Sequence, residues 1–262
     1  MSFKIVCSSR PSRNDFQEAI EFALSHSFDG IDYYLDYARL PVASGAVSKL
    51  RSLVNCANLP FKFHAPCTDV ELGHMDDEVR EMSLLYLQRY INAVAYLGGT
   101  EITIHVGSKS IDPSEMDLEG GIDAVSRLVR HGAKQGVTVC LENLKVGWTA
   151  NPETYNLLLT ETGASATFDI GHANASELVR NGTMTAVELV SMIKAPIWSV
   201  HAYEIETPSG THVDPENLDN IGGVIEALVE QGCKWFVVEL PCYDNVPYVQ
   251  QLLAEFRDGL TR

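Results

Sequence analysis

The chain has 262 residues, 45% of them hydrophobic, and sets 19 basic against 35 acidic side chains for a formal charge of −16. That length and apolar content suffice for one large core, and the acidic balance disfavours broad electrostatic binding to phosphate backbones. The opening stretch MSFKIVCSSRPSRNDF turns polar after one short apolar run, matching neither a signal peptide nor a membrane span, so the expectation is a cytoplasmic protein that handles small molecules.

Along the chain, strand-like and helix-like segments alternate from end to end. Eight strands are expected near residues 4–7, 30–35, 61–64, 101–106, 137–144, 166–170, 197–202 and 235–240. Between and after them lie eight periodic segments with charged faces, among them DFQEAIEFALSH, DDEVREMSLLYLQRYINAVAYLG, GGIDAVSRLVRHGAKQG and NVPYVQQLLAEF. Glycines at 98–99, 136, 163 and 232 close several helical segments just before the next strand, as helix C-termini require. No linker or low-complexity stretch interrupts the alternation. The fold class expected is therefore α/β, a (β/α)8 TIM barrel forming a single domain over residues 1–262. The six cysteines form no CxxC pair and read as reduced packing residues, which argues against a zinc-thiolate site.

Six of the apolar runs end in residues that bind divalent metals: FKFHAP with His64, ITIHVG with His105, VCLENL with Glu142, ATFDIGH with Asp169 and His172, WSVHAYE with His201 and FVVELP with Glu239. A charged or imidazole side chain at the end of a buried strand is costly unless paired or ligated. Its repetition strand after strand points to shared metal chemistry at the carboxyl ends, where such barrels carry their active sites. Glu142, Asp169, His201 and Glu239 come from the fifth to eighth strands and converge from one side of the mouth. Carboxylates with an imidazole suit Mn, Mg, Co or Zn. Glu142 and Glu239, set across the pocket, suit proton exchange at a carbon beside a polarised carbonyl through a metal-stabilised enediolate. The plainer readings are structural: Asp169 capping the following turn, His64 and His105 as hydrogen-bonded core imidazoles, and Glu142 or Glu239 in a buried salt bridge.

The succession FHAP, IHVG, LENL, FDIGHA, VHAYE and VVELP resembles the xylose-isomerase-like TIM barrel superfamily from about residue 3 to about residue 256. That superfamily includes sugar isomerases and epimerases and the metal-dependent apurinic-site endonucleases. The resemblance implies that Glu142, Asp169, His201 and Glu239 form the single-metal site of the ketose 3-epimerases, with the two glutamates as acid and base and His172 beside the substrate. It also implies an endonuclease-like alternative, in which His64 and His105 hold further zinc. The Asp-x-His of that branch is matched in HVDPENLDNIGG only by Asp214, with Glu216 in place of the histidine and His212 as a substitute candidate. The arginine with which the epimerases hold substrate is missing between His201 and the next helix, leaving His212, Thr211 or Glu204 to replace it.

The expected function is thus a divalent-metal-dependent isomerase or epimerase of an unphosphorylated sugar or polyol, with one metal expected and two or three allowed. The alternative is a zinc phosphoesterase. For the expected isomerase or epimerase, the catalytic residues are Glu142 and Glu239 and the metal ligands Glu142, Asp169, His201 and Glu239; His64, His105, His172, His212, Asp214 and Glu216 are candidates for a second metal or for substrate. Trp148 is a candidate pocket wall, and TDVELGHMDDE after the third strand a candidate lid. Nucleic acid and membrane partners are not expected, while a homo-oligomer fits the superfamily.

Overall fold

The computed structural model describes residues 3–13, 15–35, 44–68, 70–107 and 115–260. Eight parallel strands close into a barrel: β1 (Lys4–Ser8), β2 (Gly30–Tyr34), β3 (Phe61–His64), β4 (Glu101–Ile104), β5 (Thr138–Glu142), β6 (Ser165–Asp169), β7 (Ile197–Ala202) and β10 (Trp235–Val238). Each expected strand is present, and β1 pairs with β10 to complete the ring. Eight main helices alternate with them: α1 (Phe16–Ser25), α2 (Ser44–Ala57), α3 (Asp77–Leu97), α4 (Leu118–Gln135), α5 (Pro152–Thr162), α8 (Ala186–Met192), α9 (Gly222–Glu230) and α10 (Val246–Gly259). Two short helices, α6 (Ile170–Ala175) and α7 (Glu177–Arg180), follow β6, and a two-stranded antiparallel ribbon, β8 (Ile205–Glu206) with β9 (His212–Val213), follows β7.

Local chemistry sets the element boundaries. Asp15, Asp76 and Asn151 cap α1, α3 and α5 by accepting backbone N–H groups of the first turn. Gly98, Gly136 and Gly163 end α3, α4 and α5 in the left-handed region at φ of 90°, 73° and 72°, where a side chain would be strained. The helices bury one stripe against the barrel. In α3 that stripe is Leu84, Leu87, Ile91 and Val94, spaced three and four residues apart and all fully buried.

Inside the barrel, side chains two apart along a strand share the inward face. At the amino-terminal end Lys62 pairs with Glu101 at 2.6 Å, donates to the Trp198 carbonyl at 2.9 Å and lies 4.8 Å over the Trp235 ring. One level up, the hydroxyls of Thr103, Thr167 and Ser199 bond one another at 2.8 and 3.2 Å. The next inward position on β3, β5, β6 and β7 is His64, Glu142, Asp169 and His201, and Glu239 just follows β10. The barrel's own periodicity therefore delivers these groups to one level at the carboxyl end. Among the described residues no helix is long and apolar enough to cross a membrane.

Candidate metal centre at the barrel mouth

Glu142 sits at the middle of the constellation. Its Oε2 lies 3.1 Å from His64 Nε2 and 3.0 Å from His105 Nε2, and its Oε1 lies 3.1 Å from His201 Nδ1. The same His201 nitrogen is 3.2 Å from Glu239 Oε2 and 3.7 Å from Asp169 Oδ2. Asp169 Oδ1 accepts from the His172 amide at 2.6 Å, so it does cap the turn that opens α6, while Oδ2 accepts the Tyr203 hydroxyl at 3.0 Å and remains turned to the site. Asn143 fixes the Asp169 main chain: its side chain donates to the Asp169 carbonyl at 2.9 Å and accepts from the Asp169 amide at 2.8 Å.

All of these groups except His105 are buried, and His105 is largely so. Burial alone would lower the His201 and His105 imidazoles. Against that burial, Glu142, joined by Glu239 and Asp169 at His201 and by Cys67 at His105, holds both well above the usual histidine range. Burial likewise opposes ionisation of Glu142, and His201 and His105 nevertheless draw its carboxyl well below the usual range. His64 donates Nδ1–H to the Ala65 carbonyl at 2.7 Å, which leaves its Nε2 directed at Glu142.

The donor set fits a divalent cation. Asp169, His201 and Glu239 offer ligand atoms within 4.8 Å of one another, as do Glu142, Asp169 and His172, and His64, Glu142 and His201. His201 Nε2 is buried without a hydrogen-bond partner among the described residues, so the ring's polar contacts lie on its Nδ1 side. Carboxylates and imidazoles that share protons with one another would release those protons to solvent when a divalent cation takes their place.

Above these residues opens a cavity of about 310 Å³, whose wall includes Arg10, Tyr34, Lys145, His172, Glu206 and His212. Arg10 Nη1 lies 2.7 Å from His212 Nε2 and 3.5 Å from Glu239 Oε1. His212 donates Nδ1–H to the Glu239 carbonyl at 2.8 Å and stacks on Tyr203 with ring centroids 3.8 Å apart and planes 3° apart. Burial, with Arg10 adding to it against the pull of Glu239, keeps the His212 imidazole below its ordinary value. Lys145 pairs with Glu206 at 2.9 Å, and Glu206 Oε2 is 3.4 Å from His172 Nε2.

The structure thus gathers Glu142, Asp169, His201, Glu239, His64, His105, His172 and His212 around one mouth. Asp214 and Glu216 are placed elsewhere: Asp214 accepts from Asn245 at 3.0 Å, and Glu216 is exposed with its carbonyl engaged by Tyr248. Trp148 lies off the cavity wall, its ring filling a slot where an added Cβ at Gly73, Gly107 or Gly121 would meet it at 2.5 to 2.7 Å. The candidate lid is packed down in its described part, with Val70, Glu71 and Leu72 buried and Glu71 Oε1 accepting from the amides of Gly73 and Gly107. Of the three residues offered in place of the missing arginine, His212 lines the cavity, whereas Glu204 is bonded to Asn220 and Thr211 is exposed; Arg10, after β1, lines the cavity as well.

The sequence model of the xylose isomerase-like TIM barrel matches residues 20–260. The chain belongs to that family. An uncharacterized protein of Methanocaldococcus jannaschii is 25% identical over 194 residues, covering 74% of this chain and 79% of its own. Solved structures similar to this xylose isomerase-like barrel include a D-tagatose 3-epimerase-like protein at a TM-score of 0.80 and 21% identity, with 98% of each chain covered. Another is a D-psicose 3-epimerase with D-tagatose from Clostridium cellulolyticum H10, at 0.73 and 16%, covering 98% of this chain and 92% of that one. A third is 3-keto-D-glucoside 4-epimerase from E. coli, at 0.68 and 18%, covering 99% and 98%. At these identities the likeness establishes the shared fold.

Proposed function

We propose that the protein is a divalent-cation-dependent epimerase or isomerase of a small, unphosphorylated sugar or polyol. The observation that carries this reading is that Glu142 and Glu239, from β5 and the end of β10, approach the same His201 nitrogen at 3.1 and 3.2 Å beneath a cavity of about 310 Å³. Two carboxylates on opposite sides of one bound carbon can remove a proton from one face and return one to the other. Glu142, Asp169, His201 and Glu239 would hold the cation, whose presence would polarise a substrate carbonyl and raise the acidity of the neighbouring C–H bond.

The remaining cavity residues supply hydroxyl recognition. Arg10, Lys145 and His172 present donors from three sides, and Glu206 and the ring of Tyr34 complete the wall. The packed imidazoles and the half-buried mouth exclude bulk water from the carbon that exchanges its proton. The names of the structurally similar proteins, epimerases of ketoses and of a keto-glucoside, support the same substrate class.

The test is solvent exchange. Incubated in D2O with a panel of ketoses and polyols, the metal-loaded protein should place deuterium at the epimerised carbon of a substrate, and Glu142→Gln and Glu239→Gln should each abolish incorporation while keeping the fold. Exchange that persists in both variants removes the acid/base assignment.

A second reading rests on a different contact. His64 and His105 both meet Glu142 Oε2, away from the Oε1 that faces His201, so His64 and His105 would be the residues to hold a second cation beside Glu142. Two or three zinc ions per chain would favour a phosphoesterase. The charge of −16 and the placement of Asp214 and Glu216 outside the cavity weigh against DNA as its substrate.

A further inference from the structure

An amphipathic helix on a barrel needs one apolar stripe, and α3 carries two. Opposite the buried stripe of Leu84, Leu87, Ile91 and Val94, its outer face exposes Val79 at 39%, Met82 at 73%, Leu85 at 51% and Tyr86 at 39%, with Met75 at 57% just ahead of it. Beside this ridge runs a groove of about 610 Å³ bounded by Thr68, Val70 and Ser83. A contiguous apolar ridge and groove of this kind marks an association surface.

We infer that this face is a two-fold homodimer interface, with α3 of a second copy of this chain lying antiparallel on α3 of the first. The charges on the face decide the occupant. Asp77 and Glu81, on the flanks, are paired with Arg80 and Arg127, whereas Glu78 and Arg89 carry no ion pair among the described residues. Those two are eleven residues apart, about three helical turns, so they share one side of the helix roughly 16 Å from each other. The midpoint of Glu78 and Arg89 along the helix is also the midpoint of Met82 and Leu85. A two-fold axis through that point sets Glu78 against Arg89 of the second copy twice over and Met82 against its Leu85, and the protruding Met82 of each enters the groove of the other. Only an isologous contact uses both halves of each pair. A chain of charge −16 repels a second copy over most of its surface, so a face with its own internally compensated charges is where two copies can meet. Thr68 lines both the groove and the mouth cavity, so dimerisation would place the second copy near that edge of the entrance.

Sedimentation velocity of the full chain tests this. The wild type is expected at about twice the chain mass of 28.8 kDa, and Met82→Glu at the monomer mass with an unchanged circular dichroism spectrum. Glu78→Arg and Arg89→Glu, both at exposed positions of α3, should each weaken the dimer about tenfold or more through like-charge contact while keeping the circular dichroism spectrum, and the double reversal should restore it. A monomeric wild type at high concentration overturns the inference. So does an oligomer indifferent to Met82→Glu, or single charge reversals that the double variant fails to rescue.

Discussion

The Nδ1 atom of His201 lies 3.1 Å from Oε1 of Glu142, and this contact ties the seventh barrel strand to the fifth across the mouth. The same nitrogen's approach to Glu239 adds the eighth. The centre is therefore held by mutual protonation of groups that a cation can bind in their place. A cation present at about 100 times its dissociation constant should stabilise the fold by about 2.7 kcal/mol. Thermal unfolding with and without chelator reads this directly. Asp169→Asn should lose most of that increment, and unfolding indifferent to metal would remove the cation from the site.

Gly171→Ala should disturb the site without touching a charged group. A Cβ there would meet Tyr203 Cε2 at 1.9 Å, and Tyr203 both stacks on His212 and donates to Asp169. Overpacking of this kind costs about 1–3 kcal/mol. Tyr203→Phe, which keeps the stack and deletes the bond to Asp169, should cost about 1–3 kcal/mol and weaken metal retention. Denaturant unfolding of the two variants, with metal content measured beside it, checks both effects.

Lys62→Met should destabilise by about 3–5 kcal/mol near neutral pH, because it strands Glu101 in the barrel without its partner. Lys62 and Glu101 have only 3% and 8% of their side chains exposed. Burial raises the Glu101 carboxyl above the usual range, and Lys62 pulls it part of the way back. A carboxyl raised in the folded state costs stability once pH exceeds the unfolded value of about 4.3, and the cost grows until the folded value is passed. Removing Lys62 pushes that folded value higher, so the variant's deficit should be largest at neutral pH and shrink as pH falls toward 5. Glu101→Gln in the Lys62→Met background should recover stability at neutral pH.

Arg10→Gln should act on recognition more than on turnover. Its guanidinium reaches His212 and Glu239 from the β1 loop, at the wall of the cavity. With the substrate identified by deuterium exchange, the expected result is a KM raised about tenfold or more with a smaller change in kcat, equivalent to about 1.4 kcal/mol of lost binding. An equal fall in kcat at unchanged KM would place Arg10 in the chemistry instead.

The barrel and the inward-facing metal-type residues were legible in the sequence for a physical reason. His64, Glu142, Asp169, His201 and Glu239 interrupt or end apolar strands, where their desolvation needs compensation, and strand periodicity places them on one face. Arg10, Lys145 and Glu206 were not legible, since each lies in a connection outside the eight barrel strands, where a charge is ordinary. Asp214 and Glu216 suffered the converse: a polar segment suggested ligands, and of its three candidates the ribbon turns His212 inward while Asp214 and Glu216 lie beyond the ribbon and off the cavity wall. Trp148 looked like a wall of the site because it follows a strand end. Three glycines distant in sequence, Gly73 and Gly107 in loops and Gly121 in the first turn of α4, make the slot that takes its ring.

The β8–β9 ribbon sets Glu206 directly opposite His212 in its register, and directly opposed residues on paired strands point to the same side. Neither belongs to the eight barrel strands, and both reach the cavity from a hairpin held there by the Lys145–Glu206 pair and by the His212 bond to the Glu239 carbonyl. Exchanging residues 204–213 for a loop of equal span would therefore rewrite which hydroxyls the cavity accepts and would also release the Glu239 carbonyl, while Glu142, Asp169 and His201 stay in their strands.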